Sequence, residues 1–287
     1  MLCIVNQLTQ ELTRDIKKLT GTIECISHLS GGITNHNYKL ETSSGAYVVR
    51  VAGEKSELLG IDRQAEFDCS GMAYQLGIGA EPIAYLAAHQ AILTRFLEAA
   101  QTLDTASATA QLDFLVSTLK KLHAAPAFPK SFSAFQTITQ YHQIALVHGV
   151  KFPKDTPQIL RQLTQIQSQL EPTAKIVPCH NDLLPSNLLF GRQLFLIDWE
   201  YAGNGNRMFD LGNLAANLEL NDHEELLGLY FGEVSHQLRQ ELALMRCVSE
   251  AREAFWGFLQ SGISSLDFDF LAYANTHLER FRIAQGG

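Results

Sequence analysis

Cysteine is scarce and poorly placed for staples. The five residues, Cys3, Cys25, Cys69, Cys179 and Cys247, are odd in number and include no C-x-x-C pair. A disulfide framework and a structural zinc site are therefore not expected, and a reducing cytoplasmic setting fits. Cys179 is expected to be a small buried hydrophobe. No apolar run reaches the roughly 18 residues that suggest a membrane span, so no stable membrane association is expected. Met1 to Gln7 have neither a basic region nor a long apolar core, so no secretory signal is expected. Positive charge is short as well: 22 Lys and Arg against 30 Asp and Glu leave a net charge of −8. That balance disfavours nucleic acid or an anionic surface as the main partner and suits a neutral or cationic small molecule. The pattern G-x-x-x-x-G-K-[ST] is absent, which excludes a P-loop.

What is present is enough apolar material for a substantial core. The 287 residues are 46% hydrophobic, sufficient for two lobes around a cleft. After an amphipathic helix over 7–19, β-rich runs at Ile23–Leu29, Asn37–Leu40 and Ala46–Val51 predict an antiparallel sheet with a glycine-bearing turn between its first two strands. A helix over 60–76 and strands at Pro82–Leu86 and Ala91–Leu97 follow. Helices are predicted at about 105–124, 132–148, 156–170, 208–231, 236–261 and 267–284, with short hairpin strands in the strip 176–200. The expected fold class is α+β: a bilobal, protein-kinase-like fold. Residues 1–96 form a small antiparallel β lobe with a helix, residues 97–287 form a larger, mainly helical lobe, and the hinge lies near Thr94–Glu98.

The chemistry concentrates in that strip. His180-Asn181-Asp182-Leu183-Leu184-Pro185-Ser186-Asn187 has the frame H-x-D-L-x-x-x-N of a protein-kinase catalytic loop. Asp198 follows an apolar run, where a kinase keeps a second metal ligand. The frame assigns Asp182 as the base that takes the acceptor proton, and Asn187 and Asp198 as hard oxygen ligands for Mg²⁺ on the phosphates of ATP. Taken singly, Asp182 and Asp198 read equally well as caps and Asn187 as a turn former; the combination favours catalysis. Gly31, Gly32, Thr34 and Asn35 lie where a kinase covers the phosphates, although a Gly-Gly turn is often only a turn. Arg50 ends a β-rich run where kinases keep a phosphate-binding cation, with Glu66 in the next helix as its partner. Phe96 and Leu97 are placed beside adenine. His180 is expected to brace the loop, and His123 to be structural.

These residues resemble the choline/ethanolamine kinase family, within the aminoglycoside-phosphotransferase-like superfamily. The likeness rests on Gly31-Gly32-Ile33-Thr34-Asn35, Arg50, His180-Asn181-Asp182 with Asn187, Ile197-Asp198-Trp199-Glu200-Tyr201, and Asn206-Arg207-Met208-Phe209-Asp210. Length and the W-E-Y wording look bacterial. The resemblance implies an ATP-dependent kinase acting on the hydroxyl of an amino alcohol, with choline first and ethanolamine second. Glu200, Tyr201, Trp256 and Tyr273 would line the acceptor pocket, and Asp210 would anchor the catalytic loop. A quaternary ammonium is held by aromatic faces and carboxylate, each cation–π contact contributing roughly 0.5–2 kcal/mol. Two departures stand out: Leu259 replaces the second Trp of the family's W-G-x-W pattern, and Asn217 replaces a carboxylate. Thiamine or an aminoglycoside as acceptor therefore stays open, as does a catalytically silent nucleotide- or amine-binding protein. Oligomeric state and the choice of ATP or GTP are not legible.

Overall fold

The computed structural model describes residues 8–29, 35–53, 55–220 and 223–286. Helix α1 (Gln10–Thr20) starts where the Thr9 hydroxyl accepts from the Leu12 amide. It is followed by β1 (Ile23–Leu29), β2 (Asn35–Thr42), β3 (Gly45–Ala52), α2 (Arg63–Gln75), β4 (Pro82–Leu86) and β5 (Ala91–Arg95). The strands form one antiparallel sheet in the order β1-β2-β3-β5-β4. Alternation in β3 puts Tyr47 and Val49 into a core with Leu12, Ile16, Ile26, Leu40 and Leu93.

The chain then runs through β6 (Gln101–Thr102), α3 (Thr105–Thr109), α4 (Leu112–His123), α5 (Ala134–Val147) and α6 (Thr156–Leu170). β7 (Ile176–Cys179), β8 (Leu188–Phe190), β9 (Leu194–Leu196) and β10 (Gly203–Asn206) come next, before α7 (Arg207–Asn217), α8 (Glu224–Phe231), α9 (His236–Ile263) and α10 (Phe270–Gly286). A second core joins these helices. α2 also packs into it through Cys69 and Ala73, although it precedes the expected boundary at 96.

The architecture agrees with the expected α+β plan, and three details differ from the sequence reading. The helix expected over 105–124 is two helices, a short one opened by the Asp104 capping box and a second from Leu112 to His123. The helix expected over 208–231 ends at Asn217, where Glu219 takes a left-handed backbone with φ 50°. Cys25 is disulfide-bonded, whereas Cys69, Cys179 and Cys247 are free; an odd count excludes complete pairing, not a single bridge.

α9 organises the larger part, with α5, α7 and α10 packed against it. Gly212 permits the approach of α7, since a Cβ there would lie 2.7 Å from the backbone of Met245 and Arg246. Gly257 does the same for α10, where a Cβ would lie 3.0 Å from the Tyr273 ring. Nearly every residue of α9 from Cys247 to Gln260 is buried, including Glu250, Arg252 and Glu253. No described helix is long and apolar enough to cross a membrane.

Candidate active site

The loop from β7 to β8 is fixed by one face of α7. Asp210 accepts from the backbone amides of His180 (2.9 Å) and Asn181 (2.7 Å). Asn213 accepts from the Leu183 amide (2.6 Å), and Asn217 donates to the Leu183 carbonyl (3.2 Å). The spacing i, i+3, i+7 puts these three on one helical stripe. Asp210 is held in turn by His123 at 3.0 Å, and His123 by Tyr230 at 2.7 Å. Asp210 and His123 thus have the structural roles expected of them. Asn217, the position lacking a carboxylate, serves the loop backbone. Asn213→Ala strands the buried Leu183 amide, and is expected to cost about 1–3 kcal/mol in denaturant unfolding.

His180 braces the loop from inside. Its Nε2 lies 3.0 Å from the Ile197 carbonyl and its Nδ1 lies 3.3 Å from the Asp182 amide. Burial holds its pKa below the ordinary value, so the ring is neutral: Nε2 donates and Nδ1 accepts. Asn181 and Asp198 both adopt left-handed backbone, with φ of 65° and 67°. Non-glycine residues persist there only when surrounding contacts impose it, as at functional sites.

The structure brings Asp182, Asn187 and Asp198 together. The Asn187 side-chain nitrogen donates to the Asp182 carbonyl (2.9 Å) and carboxylate (3.2 Å). The Ile197 amide donates to the Asn187 carbonyl (3.0 Å), tying the β9 end to this loop. Asp182 is 7% exposed, and burial pushes its carboxyl up to about 7 against the pull of Arg252. With its nitrogen turned to Asp182, Asn187 has its amide oxygen for a cation, and the partly exposed Asp198 carboxylate adds a second hard donor. This oxygen set suits Mg²⁺.

Arg50 on β3 reaches both Glu66 of α2, the expected partner, and Asp198. The surrounding network departs from the sequence reading. Arg63 donates to Glu66 (2.7 Å), Glu200 (3.0 Å) and Asn35 (2.8 Å), and Asn35 donates to Glu200 (2.9 Å). Asn35, expected at the phosphates, and Glu200, expected at the acceptor, therefore spend their side chains on each other and Arg63. That buried network ties the small sheet to the catalytic strip. Gly31, Gly32 and Thr34 lie outside the described residues. Phe96 and Leu97 sit in the connection after β5, with the Lys39 ammonium 4.6 Å from the Phe96 ring centroid.

On the opposite side of Asp182 the sequence reading missed the main group. The Arg252 guanidinium is 2% exposed; one nitrogen donates to Asp182 (2.8 Å) and to Glu253 (2.5 Å), and its plane lies 4.4 Å from the Tyr201 ring centroid. Tyr273 donates to the other Glu253 oxygen (2.8 Å) and meets the Trp256 ring edge-on at 5.6 Å. Tyr201, Trp256 and Tyr273 therefore do gather around one place, joined by a buried ion pair. Nothing in the sequence marked the pair, because Arg252 and Glu253 follow Ser249 and Glu250 in a helix that also carries Arg239, Glu241 and Arg246.

A buried carboxylate beside a hard-oxygen pair and small-sheet cations defines a kinase-fold phosphotransferase. Comparison with known proteins agrees. The model of the phosphotransferase enzyme family matches residues 26–246. LicA of Haemophilus influenzae strain KW20 is 30% identical over 221 residues, covering 74% of this chain and 82% of that protein. A second LicA of that species is 30% identical over 223 residues, 75% of this chain, but the match spans only 65% of its length. Ethanolamine kinase 1 of Mus musculus is 25% identical over 299 residues, covering 87% and 81%. The structure of the choline kinase LicA from Streptococcus pneumoniae superposes with a TM-score of 0.84 at 23% identity, covering 96% of this chain and 98% of that one. The chain belongs to the phosphotransferase enzyme family, within its choline/ethanolamine kinase branch.

Proposed function

We propose that this chain transfers the γ-phosphoryl group of ATP to the hydroxyl of a small amino alcohol, choline or ethanolamine. The observation that carries the reading is Asp182 itself. It is buried and poised near neutrality, and it lies between the Asn187–Asp198 oxygen pair and the cluster of Tyr201, Glu253, Trp256 and Tyr273. The names of the relatives, choline kinase and ethanolamine kinase, point to the same acceptors.

In this reading residues 1–96 cover the nucleotide and residues 97–287 carry the catalytic loop and acceptor pocket. The acceptor hydroxyl binds at Asp182, which orients its oxygen toward the γ-phosphorus and receives its proton as the new O–P bond forms and the bond to ADP breaks. Arg50 steadies the phosphates from β3, held in register by Glu66. Asn187 and Asp198 hold Mg²⁺, which when bound neutralises charge on the phosphates. Phosphoryl transfer needs little covalent assistance, so the braces on Asp182 matter as much as the carboxylate. A coupled ADP-release assay with choline, ethanolamine, thiamine and an aminoglycoside tests the proposal. Turnover is expected with an amino alcohol. Turnover confined to thiamine or the aminoglycoside, or none with any acceptor, would overturn it.

A further inference from the structure

We infer that Glu253 is the carboxylate that binds the acceptor's ammonium group, and that the subsite around it selects a primary ammonium over a quaternary one. This rests on the amino-alcohol reading above and deepens it.

Charge comes first. α7 brings no carboxylate toward the acceptor, because Asn217 is bonded to the Leu183 carbonyl and the exposed Glu219 pairs with Arg280 at 2.8 Å. The acid next to the base comes from α9 instead. Asp182 and Glu253 are two negative groups bridged by one positive group, Arg252. A carboxylate accepts at about four lone-pair positions. Arg252 takes one on Glu253 and Tyr273 another, on different oxygens, so acceptor capacity remains.

Spacing comes second. A single Arg252 nitrogen touches both carboxylates, at 2.8 and 2.5 Å. The base and Glu253 are therefore within one small molecule's length of each other. In a 2-amino alcohol the nitrogen and oxygen are separated by two carbons, about 3–4 Å at ordinary bond lengths. Such a molecule spans the two carboxylates, with its hydroxyl on Asp182 and its nitrogen on Glu253.

The third observation concerns what the walls lack. A quaternary ammonium has no N–H to donate and relies on aromatic faces. Here the Tyr201 face is already covered by the Arg252 guanidinium. Trp256 is packed edge-to-face against Phe270 and Tyr273, at 5.7 and 5.6 Å. The subsite is poor in free aromatic face and rich in hydrogen-bond acceptors, the combination that favours an N–H donor.

The test is a methylation series: ethanolamine, its N-methyl and N,N-dimethyl derivatives, and choline, assayed with the wild type and Glu253→Gln. The wild type is expected to lose kcat/KM stepwise, with choline about tenfold or more below ethanolamine. Glu253→Gln is expected to raise KM for ethanolamine about tenfold or more, leave KM for ATP unchanged, and narrow the ethanolamine-to-choline ratio. Choline used as well as ethanolamine by the wild type would overturn the inference while leaving the amino-alcohol reading intact. So would equal losses for both amines in Glu253→Gln. Turnover of no member of the series would remove that reading and the inference together. Should Glu253→Gln fail to fold by circular dichroism, the wild-type series decides alone.

Discussion

Replacing Asp182 with Asn is expected to lower kcat by about a hundred- to ten-thousandfold, the usual contribution of a positioned general base, with KM for ATP close to wild type. Asn keeps an oxygen for the Arg252 donor and leaves the bond from Asn187 to the residue 182 carbonyl in place. What it removes is the proton acceptor. The pH profile gives the same step a second signature. Burial pushes the Asp182 carboxyl up, Arg252 pulls it down, and Glu253 and Asp198 push it up again, leaving it near 7. A base works only when ionised. Wild-type kcat/KM should therefore fall as the pH drops through about 7, and this acid limb should vanish in Asp182→Asn. Near-normal turnover of the variant would contradict the assignment.

Arg252→Met carries the second large effect. The guanidinium bridges two buried carboxylates, and removing one partner of such a set leaves the others uncompensated, which typically costs about 3–5 kcal/mol. Thermal unfolding should show that loss. The surviving activity should show its acid limb at higher pH, because the positive group that lowers the Asp182 pKa is gone. Arg252→Lys keeps the charge and should recover part of both. A stable Arg252→Met enzyme with an unmoved acid limb would mean that the pair neither supports the fold nor sets the base.

These two residues also mark how far the sequence could be read. The convergence of Asp182, Asn187 and Asp198 was legible because such a loop is local: their proximity follows from offsets within one short strip, and the fold brings them together. The small sheet was legible from alternation in runs such as Ala46–Val51. α6 was legible through its period, with Ile159, Leu163, Ile166 and Leu170 on one buried face. Partners distant in sequence were not. Arg63 lies 137 residues from Glu200, and in a helical run an Arg with a Glu three residues on reads as an ordinary surface pair. Arg252 and Glu253 were hidden likewise, because their helix carries other charges such as Arg246 and Glu250, and only the packing buries the stretch from Cys247 to Gln260. β10 was missed because Gly203-Asn204-Gly205-Asn206 has no strand propensity; it pairs with β7 through tertiary context. Asn35 and Glu200 were placed by position in a motif, and the buried Arg63 between them redirected both.

The most direct measurement is a crystal structure with Mg²⁺, a non-hydrolysable ATP analogue and ethanolamine. The expected result is the acceptor oxygen within about 2.6–3.2 Å of the Asp182 carboxylate and facing the γ-phosphorus, with the Asn187 and Asp198 oxygens on the metal. An acceptor bound away from Asp182, or phosphates out of reach of Asn187 and Asp198, would contradict the account.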